Sequence, residues 1–170
     1  MKKQKLAIIV LGKPNSGKSQ TWYEIFSRRI RSGWKKLKLG KTKAEIYEKN
    51  SSFEEMKQKI NIDIFVRNAS FEEYGDNVED YFKGKKIPDI VFCSVQYIEK
   101  GIKTIDWFRE QGYYLYIQWL NPGYKHKYAS DDELKFKEKF ESFGEFHERT
   151  GKEIKKRTNE IKNFLINWIT

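Results

Sequence analysis

The sequence predicts an α/β domain of three layers, with helices on both faces of a mostly parallel sheet, and three observations predict it. Leu6–Leu11 and Ile90–Val95 are nearly unbroken apolar runs, the pattern of central strands covered on both faces. Helix-start signals of capping-box spacing recur between strand-like segments, at Ser52–Glu55, Ser70–Glu73, Ser130–Glu133 and Thr150–Glu153. Gly84 and Gly112 stand just ahead of strands, where helices stop. Strand and helix therefore alternate along a chain of 170 residues, long enough for one domain spanning 1–170 with a real core.

The first strand, Leu6–Leu11, runs into Gly12-Lys13-Pro14-Asn15-Ser16-Gly17-Lys18-Ser19, a complete G-x-x-x-x-G-K-[ST] sequence. Trp22, Ile25, Phe26 and Ile30 follow at helical spacing, and Gly33 offers a stop. A strand, a glycine-bounded loop and a helix N-terminus form a site for phosphate, because successive amide N–H groups turn inward to make an anion-binding nest. Glycines at 12 and 17 permit the backbone this needs. The candidate nucleotide-binding residues are Gly12, Lys13, Pro14, Asn15, Ser16, Gly17, Lys18, Ser19 and Gln20. Lys18 is the candidate catalytic group, reaching the β- and γ-phosphates, and the Ser19 hydroxyl takes one position on Mg²⁺.

Residues 35–48 read as a small hairpin about Gly40-Lys41, inserted at the sheet edge. Ile62–Arg67 is the second strand, Ile90–Val95 the third and Tyr113–Trp119 the fourth. The C-terminal region, 131–169, reads as wholly helical. Its last part sets Ile154, Ile161, Phe164, Leu165 and Trp168 on one apolar face for packing on the sheet.

Over residues 6 to 31 the chain resembles the P-loop NTPase superfamily, and its layout is similar to that of small nucleoside and nucleotide kinases. The resemblance implies the P-loop fold, Mg·ATP as ligand, and phosphoryl transfer or hydrolysis. It also implies an acid near the loop that holds Mg²⁺ through water. The third strand should carry that acid, yet it ends Phe92-Cys93-Ser94-Val95-Gln96, and Asp89 sits at its entry. Glu72 and Glu73, after the second strand, are the candidates, with Glu73 equally suited to a helix cap. Ser94 or Gln96 is placed to orient a water. Guanine recognition lacks its signature: Thr42-Lys43-Ala44-Glu45 comes too early and ends in Glu, so ATP follows by elimination. After the fourth strand, Asn121–Tyr128 brings Lys125, His126 and Lys127 to the end where such sheets bind ligands, as a lid or as an ordinary turn.

A net charge of +10 points to an anionic partner beyond the triphosphate, nucleic acid among them, although scattered lysine also suits a solvated surface. Aromatics at 16% serve base stacking or core packing. Cys93, the single cysteine, lies in an apolar run and reads as a buried hydrophobe. Arg109 and Arg149 read as surface ion pairs or charge stabilisers. Met1–Lys5 followed by six apolar residues looks like the start of a signal peptide, but the run is short and ends in the loop. A cytoplasmic protein without a membrane segment is expected. Three functions stay open: a kinase-like NTPase, a nucleic-acid-associated ATPase subunit of a larger assembly, and a nucleotide-binding regulatory module with little catalysis.

Overall fold

Every residue of Leu6–Gly12 (β1) and Ile90–Gln96 (β4) is buried, as apolar runs inside a sheet require. The computed structural model describes residues 4–40 and 59–170. Beside β1 and β4, the sheet contains β2 (Gly33–Gly40), β3 (Lys59–Arg67), β5 (Tyr114–Leu120) and β6 (Gly144–Arg149). Their spatial order is β2-β3-β4-β1-β5-β6, and every neighbouring pair is parallel except β2 with β3. The helices among the described residues are α1 (Lys18–Phe26), α2 (Val78–Phe82), α3 (Glu99–Glu110), α4 (Phe136–Phe140) and α5 (Ile154–Ile169).

Alternation along β1 divides the core between two faces. Ala7, Ile9 and Leu11 meet Val78 and Phe82 of α2, Ile105 and Phe108 of α3, and Phe136 and Phe140 of α4. Leu6, Ile8 and Val10 meet Trp22 and Ile25 of α1 and Ile161 and Leu165 of α5. The aromatic residues mostly fill these two layers: Trp22 stacks on Phe92 at 5.0 Å and donates its indole N–H to Ser94 Oγ at 2.8 Å. Trp22→Ala is expected to lower unfolding free energy by about 3–5 kcal/mol, measured by urea denaturation. A loss below about 1 kcal/mol would show that this layer does not anchor α1.

The structure corrects three expectations. Helix α1 ends at Phe26, because Ser27 takes a left-handed conformation (φ 57°); Ile30 is buried outside the helix, and Gly33 opens β2. Of the segment 35–48 read as a small hairpin, the described part, Lys35–Gly40, belongs to β2, whose antiparallel partner is β3, with Leu37 opposite Ile62. Leu37 and Leu39 are buried and Lys36 and Lys38 exposed, the period of a half-covered edge strand. Residues 41–48, Thr42–Glu45 and the Ser52–Glu55 cap signal lie outside the described residues. Finally, 131–169 is not wholly helical: β6 interrupts it, pairing Phe146 with Ile117 of β5. Gly144 starts that strand so close to β5 that a Cβ would lie 1.9 Å from the Leu115 carbonyl oxygen.

Of the cap signals, Ser70–Glu73 forms reciprocally: the Ser70 N–H donates to Glu73 Oε2 and the Glu73 N–H to Ser70 Oγ, around a 3-10 turn at Glu72–Tyr74. At 130–133 the capping role passes to Asp132, whose carboxylate accepts from the Phe136 and Lys137 N–H groups. Thr150 accepts from the Lys152 N–H instead of closing a box with Glu153, and α5 starts without a side-chain cap. Gly84 and Gly112 follow α2 and α3 at positive φ, as helix stops do. No helix among the described residues is long and apolar enough to cross a membrane.

Candidate functional site

Where β1 ends, the chain turns through Gly12–Gly17 into α1, and two residues take left-handed backbone, Asn15 (φ 63°) and Gly17 (φ 100°). The Ser16 N–H donates to the Lys13 carbonyl at 3.2 Å, which closes the turn. A Cβ on Gly12 would stand 2.2 Å from Ser16 Oγ, so this close approach needs glycine. Ser16 is 1% exposed, and its hydroxyl has no partner. Helix α1 begins without a side-chain cap and without an acid in its first turn. Its first N–H groups, which no helix can satisfy internally, therefore have neither a side-chain cap nor an acidic neighbour in the first turn, at the positive end of the helix dipole.

Lys18 is 6% exposed and folds back over the loop, its ammonium donating to the carbonyls of Gly12 and Lys13 at 3.0 and 2.9 Å. Burial pushes its pKa down to about 8, against the opposing pull of Glu73 and Glu72. Residues 15–20 line a cavity of about 310 Å³ together with Glu73, Tyr124 and Lys125. The loop, Lys18, Ser19, Gln20, Glu73 and Lys125 thus share one space. Gly12, Lys13 and Pro14 do not line it: the first two supply the carbonyls that hold Lys18, Lys13 Nζ donates to Ser130 Oγ at 2.9 Å, and Pro14 is exposed.

The two acids come from the 3-10 turn after β3, and they converge on the carboxyl end of β4. Glu72 Oε1 accepts the Gln96 N–H at 3.0 Å, and Glu73 Oε1 accepts the Gln96 side-chain amide at 2.6 Å. Glu73 is therefore both the cap and the cavity acid, since its second oxygen holds the Ser70 N–H. Glu72 does not line the cavity; burial raises its pKa, with Gln96 and Thr104 hydrogen bonds acting against that rise. Asp89 lies at the opposite end of β4, its carbonyl accepting the Leu6 N–H. Ser94 is not placed to orient water: it is fully buried, and its hydroxyl accepts from Trp22.

The loops after β5 and β6 brace the turn. The Tyr124 N–H donates to the Ser16 carbonyl at 2.9 Å and the Lys125 N–H to the Asn15 carbonyl at 3.3 Å. Gly151, after β6, donates to the Pro122 carbonyl, and a Cβ there would stand 2.3 Å from the Ser16 carbonyl oxygen. Gly151→Ala must push backbone against backbone, so unfolding free energy should fall by about 1–3 kcal/mol in thermal or urea melts. An unchanged melting curve would show that the loop yields freely at this contact.

Sequence reasoning missed Gly151 and, above all, Arg157. In the sequence Arg157 stands among Lys152, Lys155 and Lys156 and reads as one more solvated cation, yet it is 1% exposed and donates to the Gly17 carbonyl at 3.2 Å. A signal was there: Arg157 falls three residues after Ile154 and four before Ile161, on the apolar stripe itself. Arg109 pairs with Asp106 and Glu110, and Arg149 with Glu160, so both serve as ion-pair partners. Cys93 is fully buried. No group of three or more His, Cys, Asp or Glu is arranged to hold a metal among the described residues. Compared with protein-family models, curated proteins and solved structures, the chain matches none.

Proposed function

We propose that this chain is an ATP-binding P-loop NTPase that transfers the γ-phosphoryl group of Mg·ATP to an acceptor or to water. The observation that carries this reading is the shared cavity, lined by the buried Lys18, the uncapped start of α1 and Glu73. The loop suits phosphate oxygens on three counts: open helix N–H groups, an unpartnered Ser16 hydroxyl and left-handed backbone at Asn15 and Gly17. Ser19 and Glu73 suit Mg²⁺, which takes one or two protein oxygens and fills its other positions with phosphate and water. When bound, the metal neutralises charge developing on the phosphates.

What the protein's own residues contribute is positioning and charge. Lys18 exchanges its two loop carbonyls for phosphate oxygens. Gln96 keeps Glu73 oriented, and the backbone donors of Tyr124 and Lys125 keep the loop from opening. The test is isothermal titration of the protein with Mg·ATP, Mg·GTP and Mg·ADP, followed by turnover assays. Micromolar ATP binding is the expected result, and no binding of any of the three would remove the proposal.

The lowered pKa of Lys18 adds a pH dependence whose sign is definite. In the free protein its ammonium loses a proton near pH 8, whereas a bound triphosphate favours the charged form. Affinity should therefore fall as pH rises above 8, and binding at pH 8.5 should take up protons. Titrations in buffers of different protonation enthalpy measure that uptake; buffer-independent heats would show that Lys18 does not meet the phosphates.

A nucleic-acid-stimulated ATPase is the second reading, favoured by one observation. Strand β2 presents Trp34, 53% exposed, with Lys36 and Lys38 at alternate positions on the same side. Binding to a single-stranded oligonucleotide that weakens steeply with salt would support it, and salt-independent or absent binding would remove it.

A further inference from the structure

Arg157 lies in the first turn of α5, 140 residues along the chain from Gly17, and the tertiary structure sets its guanidinium against the loop. Nη2 donates to the Gly17 carbonyl at 3.2 Å, and Nη1 donates to Thr21 Oγ1 and, at 3.5 Å, to Gln118 Oε1. Gln118 in turn donates its amide to the Arg157 carbonyl at 3.1 Å, so strand β5 grips the residue at both ends. The Gly17 carbonyl also accepts from the Thr21 N–H at 3.2 Å and the Thr21 hydroxyl at 3.0 Å. Three donors thus fix one peptide plane. Because a trans peptide sets its C=O and N–H in opposite directions, the Lys18 N–H is aimed away from Arg157.

The electrostatics point beyond support. Arg157 is 1% exposed, and no carboxylate pairs with it among the described residues. Burial alone brings its pKa down to about 10, so it stays charged at neutral pH, and its Nε has no partner. A buried cation without a counter-ion destabilises the free protein. An anion bound at the adjacent loop is the missing counter-charge. Arginine is suited to this because its charge persists and its planar fork serves several acceptors at once.

We propose that Arg157 is the positioning residue of the phosphate loop: it locks the Gly17–Lys18 peptide plane and holds beside the loop a buried positive charge that a bound triphosphate compensates. This rests on the Mg·ATP reading for its ligand, and it makes α5 part of the nucleotide site.

The experiment compares Arg157→Met, Arg157→Lys and Gln118→Glu with the parent chain. Mg·ATP and inorganic triphosphate are titrated calorimetrically, and amide hydrogen exchange of residues 16–19 is followed in the ligand-free protein. Arg157→Met should weaken both probes by roughly tenfold or more and speed exchange at the loop amides, with Arg157→Lys intermediate. Gln118→Glu places a carboxylate at the guanidinium and should weaken both probes with Arg157 still present. A purely structural arginine predicts a lower melting temperature with unchanged affinity and exchange in Arg157→Met, and that result overturns the proposal. If Arg157→Met does not fold, Gln118→Glu decides, and unchanged affinity there overturns it equally. Failure of the parent chain to bind either probe sinks the ATP reading instead, and the exchange comparison then decides the locking of the loop by itself.

Discussion

Lys18→Ala should reduce ATP turnover by roughly 10²–10³-fold or more while the protein remains folded. Among the described residues, the ammonium is seated on the loop itself, held by the Gly12 and Lys13 carbonyls within hydrogen-bond distance of both. Under the proposed function, removing it takes away the charge meant for the β- and γ-phosphates and leaves the helix N–H groups alone. The fold should survive because the lysine does not stabilise the free protein. Its native pKa, about 8, is below the ordinary 10.5. The unfolded chain therefore binds more protons between those values, and the penalty is full below pH 8 and lifts as pH rises through that window. Turnover assays paired with circular dichroism melts check both halves. A folded Lys18→Ala protein that hydrolyses or transfers at the parent rate would end the proposed function.

Glu73→Gln should lower turnover by roughly 10²–10³-fold and weaken binding far less. The substitution removes the charge and keeps the shape: the glutamine oxygen still accepts the Ser70 N–H in a capping box, and the Gln96 side-chain amide must turn over so that its oxygen accepts from the new NH2 group. It also removes the largest attraction that holds the Lys18 proton, so the Lys18 pKa should move further down. Measured against Mg²⁺ concentration, the variant should need more metal for half-maximal activity. Equal turnover and equal metal demand would mean that Glu73 is a cap and nothing more. Parent protein that binds ATP tightly yet turns over nothing, with or without Glu73, would favour the regulatory-module reading over an enzyme.

The loop was legible from residues because its requirements are local: an apolar strand, glycines where a close approach or positive φ is needed, and a helix start, all within Leu6–Phe26. The strand at Ile90 was legible for the same reason, since burial on both faces leaves a nearly unbroken apolar run, and the strand at Tyr114 from its aromatic and branched residues, although Gln118 interrupts it. Edge strands carry a weaker signal. Gly33–Gly40 is lysine-rich on its open side, and Gly144–Arg149 contains no buried residue, so each passed for something else. The acid was half legible. Ser70–Glu73 could be read as a cap or as a ligand, and the folded chain makes it a cap that also faces the cavity.

By itself, the sequence determined an alternating α/β chain with a glycine-bounded strand-to-helix loop after its first strand, because periodicity and turn chemistry act over a few residues. Only the tertiary structure decided which groups complete that loop. Glu73 reaches it through the pairing of β3 with β4, Gly151 through that of β5 with β6, and Arg157 through the packing of α5 on α1. Side chains far apart in the chain become neighbours only when the sheet order and helix docking are set. A buried arginine reads like any surface cation until the fold shows what surrounds it.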